Sequence, residues 1–99
     1  MLLLHLGNLA GEIPLGSLRS PLYQALRVTL IEARRHAGLT QRQLAARLKR
    51  HHSWVAKIEA GERHLSVYEF YQISLALHMT PDALFKLFIQ RAGTNGRLQ

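Results

Sequence analysis

From residue 20 onward, apolar residues recur along this chain with the period of a helix, and the recurrence breaks four times. Ser20 and Pro21 form an N-cap followed by the favoured first helical residue. Leu22, Leu26, Leu30, Ala33 and Ala37 then line one face, and Gly38 stops the helix. Thr40 caps a second helix, with Gln43 in capping-box position and Leu44, Ala45 and Leu48 inward. Polarity breaks at Lys49-Arg50-His51. A third helix follows with Val55 and Ile58 inward, Ser53, Trp54 and Lys57 outward, and a stop at Gly61. Ser66 and Glu69 repeat the capping box before a fourth helix, which is expected to bury Val67, Phe70, Ile73 or Ser74, and Leu77. Thr80-Pro81 opens a fifth, to about Gln90, with more apolar surface than one stripe of a monomer uses.

Five helices with no repeat predict an all-α compact domain over residues 20–91, followed by a flexible tail at 92–99. Residues 1–19 read differently. Leu2 to Leu6 suits a short strand, and Gly7-Asn8 could turn it into a hairpin with Leu9 to Ile13. An isolated hairpin is marginal in water. This N-terminal arm is therefore expected to pack on a second copy of the chain or to fold over its own core.

Two short helices joined by a tight turn, the second and third here, form the helix-turn-helix arrangement that sets its second helix in the DNA major groove. Charge favours that reading. Ten Arg and Lys against three acids between Arg19 and His64 give that segment a net +7, the whole formal charge of the 99-residue chain. The excess surrounds the two-helix stretch, as a phosphate-binding surface requires. An apolar content of 47% is that of a folded protein. There is no cysteine, so disulfides and thiolate zinc sites are excluded. No run approaches the roughly 18 apolar residues that span a bilayer, so no membrane role and a cytoplasmic location are expected. Scattered acids and the lack of a Gly-rich phosphate loop argue against an enzyme, and no cofactor is implied. His51, His52 and His64 do not make a metal site, because adjacent histidines diverge and no carboxylate completes the set.

Leu39-Thr40-Gln41, Leu44-Ala45, Val55, Ile58-Glu59 and Gly61-Glu62-Arg63 together resemble the lambda-repressor-like, Xre/Cro-type helix-turn-helix family. The resemblance spans roughly Ser20 to Phe88. It implies a five-helix fold and sequence-specific binding of double-stranded DNA, usually as a dimer on a palindromic operator. In this chain it implies that Gln41 contacts phosphate and braces the first recognition-helix side chain, and that His52 and Ser53 face base edges. Trp54 and Lys57 lie on the same outward side, available to thymine methyl groups, sugar or phosphate. Arg42, Arg50 and Arg63 suit phosphate clamps. Trp54 has a competing role in packing. Glu59 is expected in an internal ion pair, with Arg47 the candidate partner, while Arg34 and Arg35 read as a solvated face.

The chain departs from the family at the turn, where Lys49 stands in place of Gly and His51 in place of a Ser or Thr cap. A positive φ at Lys49 would cost about 1 kcal/mol. The implied function is a transcriptional repressor acting as a homodimer through the arm, the fifth helix or both. Alternatives are an antitoxin that represses its own operon beside a toxin protein, and a protein–protein module that has kept the fold.

Overall fold

The computed structural model describes residues 18–96, with side chains to residue 93. The expected strand and hairpin, and all of the arm expected over residues 1–19 except residues 18 and 19, lie outside the described residues, as do the last three residues. Helix α1 is Pro21–His36. Ser20 Oγ accepts from the Tyr23 amide at 3.1 Å, and the helix closes at Gly38, whose φ of 76° suits a residue without Cβ. Its buried stripe is not the one that apolar periodicity marks. Ala25, Thr29, Leu30 and Arg34 are buried, whereas Leu22 and Ala37 are exposed. The stripe is rotated because two polar residues on it are satisfied internally. Thr29 Oγ1 donates to the Ala25 carbonyl at 2.8 Å, and Arg34 has an acid across the core.

Helix α2 is Gln41–Arg47, and both arms of its capping box form. The Gln43 amide donates to Thr40 Oγ1 at 3.1 Å, and the Thr40 amide donates to Gln43 Oε1 at 2.9 Å. Lys49 does take a positive φ, 56°, in the turn that follows. Arg50 closes that turn by donating its amide to the Ala45 carbonyl at 2.9 Å. Helix α3 is His52–Glu59, α4 is Val67–Ala76, and α5 is Pro81–Gly96. Ser66 and Glu69 form the second capping box, as expected. Among the described residues there is no strand.

Leu30, Leu44, Ala45, Val55, Ile58, Ile73, Leu77 and Leu84 form one core to which every helix contributes. Helix α1 lies along α5, α2 packs on α3, and α4 packs on α5. Val67 corrects an expectation: it is 86% exposed, because the inward face of α4 runs through Glu69, Phe70, Ile73, Ser74 and Leu77 and leaves Val67 outside. Helix α5 also continues past Gln90 to Gly96. Arg91 pairs with Glu32 of α1 and anchors it there, and Gly93 weakens a helix without stopping it. Tyr68, Tyr71 and Leu75 on α4, and Phe85, Leu87 and Ile89 on α5, remain exposed. No helix of the described residues is long and apolar enough to cross a membrane.

Candidate nucleic-acid interface

Helix α3 is held differently at its two ends. At the C-terminal end, Glu59 is buried and gathers three partners. Arg34 of α1 reaches it bidentately, Nε to Oε2 at 2.7 Å and Nη2 to Oε1 at 3.0 Å, and Gln41 Nε2 donates to Oε1 at 2.8 Å. Arg27 Nη1 donates to the Glu59 carbonyl at 2.6 Å. The ion pair expected of Glu59 therefore exists, but its partner is Arg34. Arg47 instead donates to the Ala76 carbonyl at 2.8 Å. Arg34, expected on a solvated face, is buried, and only Arg35 is exposed. Burying two charges is tolerable only where each is paired and hydrogen-bonded. Here Arg34 also donates from Nη1 to the Leu39 carbonyl at 2.7 Å.

Past that end, Gly61 has a φ of 76°, and a Cβ there would come within 3.0 Å of Arg27 Nε. The loop beyond is pinned to α1, since the Leu65 amide donates to Tyr23 Oη at 2.6 Å and the Tyr23 ring meets His64 edge-on. Burial pushes the Tyr23 phenol above its ordinary value.

The N-terminal end is capped by one side chain, and the His51 carbonyl also accepts the Trp54 amide at 3.0 Å. His51, in extended conformation (φ −65°, ψ 145°), caps α3 with its imidazole, Nδ1 accepting the Ser53 amide at 3.2 Å. The same nitrogen lies 2.9 Å from Ser53 Oγ. The departure from a Ser-type cap is thus made good by a ring nitrogen.

The expected site residues gather around this helix. Lys57 and Arg42 are exposed, and His52, Ser53 and Gln41 are half-buried. Arg42, at the start of α2, holds the His52 imidazole below its ordinary pKa through charge repulsion, with smaller effects from desolvation and His51. Ser53, Lys57, Arg50 and Arg63 line one groove beside α3. Trp54 borders that groove but also packs against the core, and the Arg50 guanidinium lies 4.2 Å from its ring centroid, with Arg63 at 5.4 Å. Gln41 reaches Glu59, at the far end of α3 from the first recognition-helix side chains.

Both arginines share Glu69. Arg63 binds it bidentately at 3.1 and 3.2 Å, and Arg50 approaches to 3.7 Å. Sequence reasoning had placed Glu69 in a capping box but missed this second task. The Arg63 hydrogen bonds hold the Glu69 carboxyl below the usual carboxylate range, and the Ser66 bonds add to them against the opposing effect of burial. A depressed folded-state pKa contributes stability that is present above the unfolded value and lost as pH falls through the folded one. The melting temperature should therefore drop as pH is lowered from about 5 to about 2. In Glu69→Gln, which keeps a capping-box residue, the drop should be shallower, as measured by circular dichroism. At neutral pH the variant should lose about 1 kcal/mol at most, since both arginines are about a third exposed and water screens them. An unchanged pH profile would show that the cluster contributes nothing to stability.

A sequence model of the helix-turn-helix domain family matches residues 25–87, well over half of the chain. The solved structure of an XRE-family like protein from Pseudomonas syringae pv. tomato str. DC3000 is similar, with 45% identity, 70% of this chain and 84% of that chain covered, and a TM-score of 0.65. The chain belongs to the Xre family of helix-turn-helix proteins. No curated protein matches it in sequence. In this Xre-family chain α2 and α3 form the helix-turn-helix, and the protein is a DNA-binding regulator.

Proposed function

We propose that this regulator is a repressor that binds a palindromic operator as a homodimer, occluding a promoter. The observation that carries the reading is that the whole formal charge of +7 lies between residues 19 and 64, around the helix whose outward residues line an open groove. Within it, His52 and Ser53 read base edges, while Lys57 and the rim of Trp54 meet sugar, phosphate or thymine methyl groups. Arg42, Arg50, Arg63 and Gln41 meet phosphates. Their internal bonds do not disqualify them, because a guanidinium carries five N–H donors and an amide two. The pairing with Glu69 holds Arg50 and Arg63 in place before DNA arrives, which reduces the ordering cost of binding. The exposed apolar residues of α4 and α5 support a protein partner, here assigned to a second subunit. A toxin protein on the same surface is the reading it competes with.

Selection of bound sites from random duplex DNA, followed by titration at several salt concentrations, tests the proposal. An inverted-repeat site should emerge, and log Kobs should fall with log salt with a slope steeper than about −3. A flat salt dependence, or no enriched site, would refute DNA recognition. A monomer on the selected duplex in sedimentation would refute the dimer.

A further inference from the structure

The two contacts at His51 Nδ1 respond differently to protonation. This ring nitrogen has one in-plane position, holding a lone pair in the neutral tautomer protonated at Nε2 and a hydrogen in the charged ring. As a lone pair it accepts the Ser53 amide at 3.2 Å and takes the Ser53 hydroxyl hydrogen at 2.9 Å. The hydroxyl oxygen then faces the groove with lone pairs only. As N–H it cannot accept the amide. It donates to Ser53 Oγ, and the hydroxyl hydrogen turns outward. We propose that His51 is a proton-operated positioning residue that sets whether Ser53 meets a base edge as an acceptor or as a donor, so that the sequence preference of this protein changes with pH.

The proposal rests on the reading of Ser53 as a base-facing residue. The consequence for recognition follows from the base edges themselves. An acceptor at Ser53 suits the amino groups of cytosine N4 or adenine N6, and a donor suits guanine N7 and O6 or thymine O4. Imidazoles change charge between about pH 5 and pH 8, so the change lies in an accessible range.

The surroundings bear on the direction. The His52 ring is tilted against His51 with centroids 4.3 Å apart, and the charge of Arg42 of α2 bears on His52. Lys49, Arg50, Lys57 and Arg63 border the same groove, with Glu62 as its acid. Phosphates at the interface favour the charged imidazole, so duplex binding and proton uptake reinforce each other.

The test compares wild type with His51→Asn, whose side-chain oxygen caps as an acceptor and does not titrate. Duplexes carrying each of the four base pairs at every position of the selected half-site are titrated at about pH 5.5 and about pH 8. In wild type the relative affinity for one position should reverse or change by about tenfold between the two values. In His51→Asn it should stay the same at both, with the preference wild type shows at the higher pH. A wild-type preference that is the same at both values overturns the proposal. So does a shift that persists in His51→Asn, which would assign it to His52. Nitrogen-15 shifts of the His51 ring in the free protein give a readout that needs no DNA. They should report an unprotonated Nδ1 at the higher pH, and a protonated Nδ1 there would remove the cap on which the mechanism depends. Failure of all duplex binding with a normal ring readout would instead be failure of the DNA-binding reading.

Discussion

Replacing Glu59 by alanine should cost about 3–5 kcal/mol, because it leaves the buried Arg34 guanidinium without its carboxylate. A domain of this size has about 5–15 kcal/mol in total, so the variant should be close to unfolding at ordinary temperature. Three elements lose a partner together: Arg34 of α1, Gln41 at the start of α2, and the last turn of α3. The companion Arg34→Met with Glu59→Leu removes both charges and keeps the volume, and should recover more than half of the loss. Recovery should be incomplete, because the Leu39 carbonyl also loses the Arg34 donor. Denaturant midpoints of the three proteins decide the matter. A cost below about 1 kcal/mol for Glu59→Ala would mean that the pair contributes no more than an exposed one.

The largest functional effect is expected from His52→Ala combined with Ser53→Ala. Each base contact is worth about 1–3 kcal/mol of discrimination, so the pair should reduce preference for the selected operator by at least about thirtyfold. Binding to unrelated duplex, and its salt slope, should change little, because neither residue adds to the formal charge of the chain. The fold should hold, since the Ser53 amide still reaches His51 and neither side chain belongs to the core. Equal loss on operator and unrelated DNA in a competition assay would remove the base-reading role from these positions.

What the chain discloses before folding is largely local. The two capping boxes and the prolines that open α1 and α5 depend on residues within four positions of one another and appear as expected, and at the turn Lys49 takes the left-handed alternative. Long-range polar contacts are not disclosed in that way. Arg34 and Glu59 stand 25 residues apart, and a charged residue on a helix looks solvated until an acid across the core is seen. The same blindness turned the expected face of α1 toward Leu22 and Ala37 and away from Thr29 and Arg34. Glu69 was visible as a cap, a local property, but invisible as the acid that gathers Arg50 and Arg63. The outward register of Ser53, Trp54 and Lys57 on α3 was legible from their spacing. Their partners were not. His78, with φ 58° after α4, gave no signal, because histidine does not announce a left-handed turn as glycine does.

The unequal fastening of α3 also bears on how such a regulator acquires new targets. Its far end is tied by Arg27, Arg34 and Gln41, and the loop beyond it by Tyr23, so substitutions there endanger the whole domain. The N-terminal end is capped by the His51 imidazole, and His52 and Ser53 lie outside the core. With base reading at those two positions, duplicated copies of this gene would drift at positions 52 and 53 and acquire different operators while keeping the same scaffold. Divergence of specificity and preservation of stability draw on separate residues of a helix only eight residues long.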